Sequence, residues 1–191
     1  MKTLKKCNCK MMMVLVSSLL VLASCNSIGQ KNNETKVSTK SEQLMDIHAA
    51  AFMGDVNTIK KHVEAGTDLN KKDQYGSTPL IVAATFNKVE VAKALIEGKA
   101  DLNMKSKDGS TPLHVASFFC RAEIVKCLLK HGADKSAIDA FGVTALQSVS
   151  GSFADVKPIY QQFNRDLGAL GFKLDYDFLE ENRPLIAELL K

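Results

Sequence analysis

A short motif returns at a constant interval in the middle of this chain, and it constrains the fold more than any other sequence feature. Gly76-Ser77-Thr78-Pro79-Leu80 recurs as Gly109-Ser110-Thr111-Pro112-Leu113, and a third copy, equally spaced, reads Gly142-Val143-Thr144-Ala145-Leu146. The segment from one copy of the motif to the next is long enough for one supersecondary unit, which cannot bury its own apolar face, so neighbouring units must stack. The sequence therefore predicts a solenoid built from repeated units.

Each copy of the motif combines a turn with the start of a helix. Gly76 stands in a turn, where positive φ is needed, and the Thr78 hydroxyl can cap a helix whose first position suits Pro79. Apolar residues at helical spacing follow in two short runs, which begin at Leu80 and Val91. Each unit is thus predicted to be a turn and two short helices, which makes the fold class all-α.

The unit resembles the ankyrin repeat, whose pattern is D-x-x-G-x-T-P-L-H-x-A followed by a second helix that ends in L-L-x-x-G-A-D. The match is best in the third unit, where Asp108 opens the first pattern and Asp134 closes the second. The resemblance implies an ankyrin-repeat solenoid of stacked helix-turn-helix units with β-turn fingers. It implies a repeat domain over 41–191, with units at about 41–72, 73–105, 106–138 and 139–176 and a C-terminal half-repeat cap at 177–191.

The fourth unit departs from the period. Arg183-Pro184 is similar to Thr78-Pro79 but lies further beyond Thr144 than Thr111 lies beyond Thr78, which predicts an insertion in this unit. Pro158 falls within its second helix by strict alignment, so that helix is expected to begin later.

Three positions lack the glycine that the repeat usually has. Asn87 and Cys120 align with Gly54 between the two helices of a unit, and Lys99 aligns with Gly66 at the end of the second helix. Asn tolerates the left-handed backbone region that glycine favours, whereas Cys and Lys do so less readily. We therefore expect Cys120→Gly to leave the melting temperature unchanged or to raise it.

The N-terminal segment is predicted to be an export signal. Four lysines and no acid accompany a short apolar run at 11–22, which is too short for a permanent membrane span. Leu22-Ala23-Ser24-Cys25 resembles the bacterial lipobox, in which the Cys thiol is acylated and cleavage falls just before it. The resemblance implies a signal peptide at 1–24 and lipidation of Cys25; the alternative is a plain signal peptide with an accidental cysteine.

The next residues have the composition of a tether. Residues 25–40 are polar and poor in large apolar side chains, so they are expected not to fold. Several acyl chains on Cys25 would hold the protein stably on a membrane, since one chain gives only marginal binding. Asn26 after the lipidated cysteine resembles outer-membrane sorting in enteric-type bacteria, so we expect the outer membrane rather than the inner one.

The net charge argues against a nucleic-acid partner. The chain has 25 Lys and Arg against 21 Asp and Glu, and four of the lysines lie in residues 1–24. Removal of that segment leaves 21 charges of each sign and a neutral protein. A role in binding nucleic acid then loses its compositional support.

Candidate catalytic or metal-ligating residues are few. Cys127 and His131 are four residues apart and could share a helix face, but they align with a helix-packing position and a helix end, which favours a structural interpretation. His48 and His114 occupy equivalent positions of two units, and the resemblance implies that such a His bonds the backbone of a neighbouring loop. The chain is predicted to be no enzyme and to need no metal, cofactor or small-molecule substrate.

The resemblance also implies where a protein partner binds, because the turn tips and the exposed side of the first helix line a concave groove in ankyrin stacks. It implies eight contact residues, with Phe86, Phe118 and Phe119 as the main anchors: Phe52, Met53, Tyr75, Phe86, Lys107, Phe118, Phe119 and Phe141. The alternative is that some of these rings pack between adjacent units. The predicted function is a lipid-anchored protein-protein interaction module of the bacterial envelope, or alternatively an accessory or inhibitory subunit of an envelope enzyme.

Overall fold

The computed structural model describes residues 44–191, so the expected signal peptide, Cys25 and the tether lie outside the described residues. Helices make up most of this part, and the only β-type pairing in it is an isolated bridge between Ile138 and Thr144. Its α-helices, in chain order, are α1 (Ile47–Met53), α2 (Val56–Glu64), α3 (Pro79–Thr85), α4 (Val89–Glu97), α5 (Pro112–Phe118), α6 (Ala122–Lys130), α7 (Ala145–Ser150), α8 (Phe153–Leu167) and α9 (Tyr176–Leu190). The predicted all-α class is confirmed.

The helices stack in two layers. The first helices of the units, α1, α3, α5 and α7, contact one another in sequence, and the second helices α2, α4 and α6 form the other layer. The predicted helix starts are confirmed, since the hydroxyls of Thr78, Thr111 and Thr144 each accept a hydrogen bond from the backbone three residues on. Small residues such as Ala83 and Ala116, which are fully buried, let the helices approach closely and make stacking the source of the core.

The three positions that lack glycine all have left-handed backbone. The φ angle is 54° at Asn87, 54° at Cys120 and 70° at Lys99, like the positive φ of Gly54 and Gly66 at the aligned positions. The repeat therefore keeps the backbone geometry at these sites even where the side chain disfavours it.

The last unit differs from the expected one. The segment that strict alignment assigns to its second helix is α8, which begins at Phe153 and carries Pro158 in its interior. Pro184 also lies inside a helix, since α9 begins at Tyr176 after the capping residue Asp175. The fragment Arg183-Pro184 therefore does not start a helix as Thr78-Pro79 does.

The contacts of α9 explain this arrangement. Helix α9 packs against α7 and also contacts α6, which is the place that a second helix has in the earlier units. Residues 151–175, which contain α8 and a short 3₁₀ helix at Gly168–Leu170, connect α7 to α9 outside that helix pair. None of the helices within residues 44–191 is long and apolar enough to cross a membrane.

Candidate functional site

The turns between units form fingers whose tips are held by aspartate side chains. The Asp73 carboxylate accepts hydrogen bonds from the backbone N–H groups of Tyr75 and Ser77, both at 2.8 Å. Asp139 accepts in the same way from Phe141 and Val143, both at 2.9 Å. Because two backbone donors converge on one carboxylate oxygen, the aromatic residue at each tip is presented by a turn of fixed shape.

Histidines join each finger to the next unit. The Nε2 atom of His48 lies 2.9 Å from the carbonyl oxygen of Lys71 and 3.2 Å from that of Ser77. His114 makes the equivalent contact further along the stack, with Nε2 at 3.0 Å from the carbonyl oxygen of Val143. The predicted structural role of both histidines is confirmed.

Asparagine and lysine side chains also link successive fingers. The Asn70 side chain accepts a hydrogen bond from the Asp101 N–H at 2.8 Å, and Asn103 accepts from the Asp134 N–H at 2.9 Å. The Lys107 ammonium, one of the expected partner contacts, donates to the carbonyl oxygen of Gln74 at 2.7 Å. The Lys107 side chain thus fastens one finger to its neighbour although it is exposed.

The other expected contacts near the fingers and on α1 differ in exposure. Met53 is 64% exposed and Phe141 is 39% exposed. Tyr75 and Phe52 are half-buried. Solvent therefore reaches all four of these side chains, as it reaches Lys107.

The expectation that the main anchors are open is wrong for Phe119. Phe119 is buried, with 3% of its surface exposed, and Phe86 and Phe118 are half-buried. The reason is that residues 151–175 lie against the C-terminal ends of α3 and α5. We name these residues the cover.

The cover and the repeats both contribute rings to one aromatic row. Its ring-centroid contacts include Phe52 to Phe86 at 4.7 Å, Phe86 to Phe172 at 5.8 Å, Phe172 to Phe119 at 5.3 Å, Phe119 to Phe163 at 5.1 Å, Phe118 to Phe119 at 5.2 Å and Phe118 to Tyr160 at 4.5 Å. The first of these contacts joins two adjacent units, as the alternative interpretation of the sequence expected. The row therefore stabilises the fold as well as forming a surface.

Sequence reasoning missed Tyr160, Phe163 and Phe172 as partners of this row. A signal for two of them was present, because Phe153, Val156, Tyr160 and Phe163 are spaced as one apolar stripe of a helix. That stripe predicts a buried helix face but does not say which surface buries it.

A buried polar network holds the cover in place. The Tyr160 hydroxyl donates to the carbonyl oxygen of Phe118 at 2.7 Å and accepts from the Arg183 guanidinium at 2.9 Å, which also donates to the carbonyl oxygen of Gly151 at 3.2 Å. Burial raises the pKa of Tyr160 to about 12, although the nearby Arg183 charge acts in the opposite direction. The phenol therefore stays neutral, and the network joins α5, α8 and α9.

The pair Cys127 and His131 has the geometry of a helix end. The Nδ1 atom of His131 lies 2.8 Å from the Cys127 carbonyl oxygen and 3.8 Å from its sulfur. Burial raises the pKa of the Cys127 thiol, which disfavours the thiolate that a nucleophile or metal ligand needs. Cys120 and Cys127 are both free thiols, and no group of three His, Cys, Asp or Glu within residues 44–191 is placed to hold a metal ion.

Comparison with known proteins agrees with this architecture. A family model described as ankyrin repeats matches residues 47–139 in three copies. The chain is also similar to the human DNA-binding protein RFXANK, with 34% identity over 61 residues, which is 31% of this chain and 24% of that protein. The chain thus covers about a quarter of the length of this relative. Residues 47–139 are therefore ankyrin repeats, and the described part of the chain is an ankyrin-repeat solenoid, an architecture that serves as a protein-protein interaction module.

Proposed function

We propose that this protein is an exported lipoprotein that binds a protein partner through its fingers and the adjoining exposed side of α1. The contacts assigned to the partner are Met53, Tyr75, Lys107 and Phe141, together with the open edge of Phe52. The lipid on Cys25 anchors the protein to a bacterial membrane, with the outer membrane favoured by Asn26, and residues 26–40 serve as the tether.

The fixed shape of the fingers is the observation that carries the proposal. Each of the tips at Tyr75 and Phe141 is held by an aspartate, and His48 and His114 fix the finger against the next unit. A surface that is ordered before binding loses little conformational entropy when a partner docks. Aromatic side chains on such a surface are favoured anchors for a protein partner.

The lysines of the fingers favour a protein partner over a phosphate backbone. The Lys105 ammonium donates to the carbonyl oxygen of Ile138 and the Lys107 ammonium to that of Gln74, both at 2.7 Å. Ammonium groups held by backbone carbonyls are less available to neutralise phosphates, which is the main source of affinity for nucleic acid. The similarity to a DNA-binding relative, which covers about a quarter of that protein, does not alter this balance.

Crosslinking in cells tests the finger surface. The wild-type protein is crosslinked and recovered beside a variant with Tyr75→Ser and Phe141→Ser, and the crosslinked partners are compared. Phe178→Ser is the matched control, because Phe178 is 45% exposed on α9, away from the fingers. We expect the finger variant to lose partners that the control keeps; recovery of the same partners by all three proteins would contradict the proposal.

The anchor is tested separately. Cells are labelled with a radioactive fatty acid, and the protein is recovered from wild type and from Cys25→Ala. We expect label on the wild-type protein and none on the variant. Label retained by Cys25→Ala would show that the lipid is not on this cysteine.

A further inference from the structure

The cover rests on the repeats through a narrow stripe of side chains. Of the 15 residues in α8, Tyr160 is the one that is fully buried, while Phe163 and Phe153 are half-buried. Phe172 and Leu174 add two buried side chains after the 3₁₀ helix. The opposite face of α8 is exposed, so this helix is attached along one side.

A buried cation lies beneath this stripe without an opposite charge from residues 44–191 beside it. Arg183 is 2% exposed, and the groups that accept its hydrogen bonds, the Tyr160 hydroxyl and the Gly151 carbonyl, are neutral. No carboxylate within residues 44–191 forms an ion pair with it at 4.0 Å or less. A buried cation without a carboxylate is costly, and that cost is recovered when the group reaches water.

Two polar atoms at the end of α5 also favour detachment of the cover. The Oγ atom of Ser117 and the Nε atom of Arg121 are buried without a hydrogen-bond partner. Arg121 lies 5.7 Å from the centre of the Phe119 ring, which the cover contacts through Phe163 and Phe172. Hydration of these groups would offset part of the free energy that is lost when the apolar contacts of the cover break.

Two glycines of the cover, one at its first residue and one before Phe172, have open space beside them. A side chain added at Gly151 or Gly171 would meet no heavy atom within 4 Å, although the Gly151 carbonyl oxygen accepts a hydrogen bond from Arg183. Helix α9 packs on α7 and α6, with Leu179 and Ile186 almost fully buried, and its contact with α8 includes the hydrogen bond from Arg183 to Tyr160. The repeat stack can therefore keep its helix pairs when the cover detaches.

We propose that the cover is a built-in occupant of a second docking surface, and that an amphipathic helix of a protein partner takes the place of α8 on Phe118 and Phe119. The chemistry of that helix follows from the cover itself, which already seats one there: aromatic side chains on one face, at the spacing of Tyr160 and Phe163. The proposal rests on the proposed function in one respect, that the ligand is a protein. It adds a regulatory step, because the partner helix must compete with the cover.

Hydrogen exchange of the full-length protein tests whether the cover opens by itself. A free helix of this length that contains proline is marginal in water, so α8 amides lose their protection whenever the cover detaches. We expect α8 amides to exchange at least tenfold faster than those of α4 after correction for intrinsic rates. Tyr160→Phe should speed α8 exchange about tenfold, as expected for the loss of a hydrogen bond in a buried network. Equal protection of α8 and α4 would overturn the proposal.

A synthetic peptide with the sequence of residues 152–175 tests the docking surface. The peptide can bind only those molecules in which the cover has detached, so its apparent affinity is the intrinsic affinity multiplied by the fraction of such molecules. We therefore expect the labelled peptide to bind the Tyr160→Phe protein about tenfold more tightly than wild type. Tyr75→Phe, a change outside the cover, is the matched control and should bind as wild type does. A peptide with Phe163→Ser and Phe172→Ser should not bind.

The outcomes separate this inference from the finger proposal. Absence of peptide binding to every protein, even with local opening of α8, would show that the surface does not accept a helix in trans and would overturn the inference. Neither measurement uses the natural partner, so such a failure leaves the finger surface and its crosslinking test intact. Loss of the finger result would likewise leave the peptide measurement valid.

Discussion

Ser117 provides a test of how the stacked helices tolerate polar groups. Its side chain is fully buried and its Oγ atom has no hydrogen-bond partner. The positions one and two units earlier are Ala84 and Ala51, which are also fully buried. Alanine therefore fits this helix contact, and Ser117→Ala removes only the unsatisfied hydroxyl.

The expected effect of Ser117→Ala is a gain in stability. A buried hydroxyl without a partner costs about 1–3 kcal/mol, and replacing it also gains a few tenths of a kcal/mol, roughly, in helix propensity. The small cavity left by one oxygen atom reduces this gain in stability, so we expect the free energy of unfolding to rise by about 1–2 kcal/mol. For a domain of this size that raises the melting temperature by roughly 2–8 °C.

Urea unfolding followed by circular dichroism measures this change, and Ser150→Ala is the matched control. Ser150 occupies the same position one unit later, but it is exposed and its hydroxyl donates to the carbonyl oxygen of Leu146 at 2.7 Å. We expect its replacement to change stability by about 0.5 kcal/mol or less. A loss of stability in Ser117→Ala that exceeds the control would refute the reasoning, since it would mean that the hydroxyl makes a favourable contact, for instance with a buried water.

Backbone strain and burial lead to three further expected outcomes. Lys99→Gly should raise the free energy of unfolding by about 1 kcal/mol by relieving positive φ at an exposed residue, while Lys99→Ala should not, as urea titration of both variants would reveal. Cys120→Gly should leave or raise the melting temperature, because relief of its φ of 54° offsets the lost packing of a buried thiol; calorimetry showing a clear drop would contradict this. The pKa of Tyr160 is raised, so its contribution to the free energy of unfolding is complete below about pH 10 and is lost as the pH rises towards 12. Urea titrations at several pH values should show the free energy of unfolding fall by up to about 2–3 kcal/mol over this range, and Tyr160→Phe should remove the fall.

Much of the repeat architecture could be predicted because the residues that build it act locally or one unit away. Thr78 caps its own helix, Asp73 fixes its own turn, and His48 reaches only the next finger. The constant period brings such partners together in every unit, so one alignment predicts all of them. The same alignment identified Asn87, Lys99 and Cys120 as the sites where an ordinary side chain stands in a glycine position.

The candidate surface was harder to predict because exposure is a property of the whole fold. Phe86, Phe118 and Phe119 occupy positions that the repeat pattern leaves open. The cover lies far along the chain, as the contact of Phe118 with Tyr160 illustrates. The apolar stripe of α8 must be buried against some apolar surface, but the sequence does not say which surface of the stack that is.

The sequence by itself thus determined the unit, its number of helices, the caps, the turns and the left-handed positions, since each depends on short-range sterics and hydrogen bonds that repeat with the period. Only the tertiary structure decided that α9 takes the place of the second helix in the last unit and that α8 lies across the aromatic row. The physical reason is that these choices are made by long-range packing, in which Tyr160, Arg183 and the rings of two distant segments must be buried together.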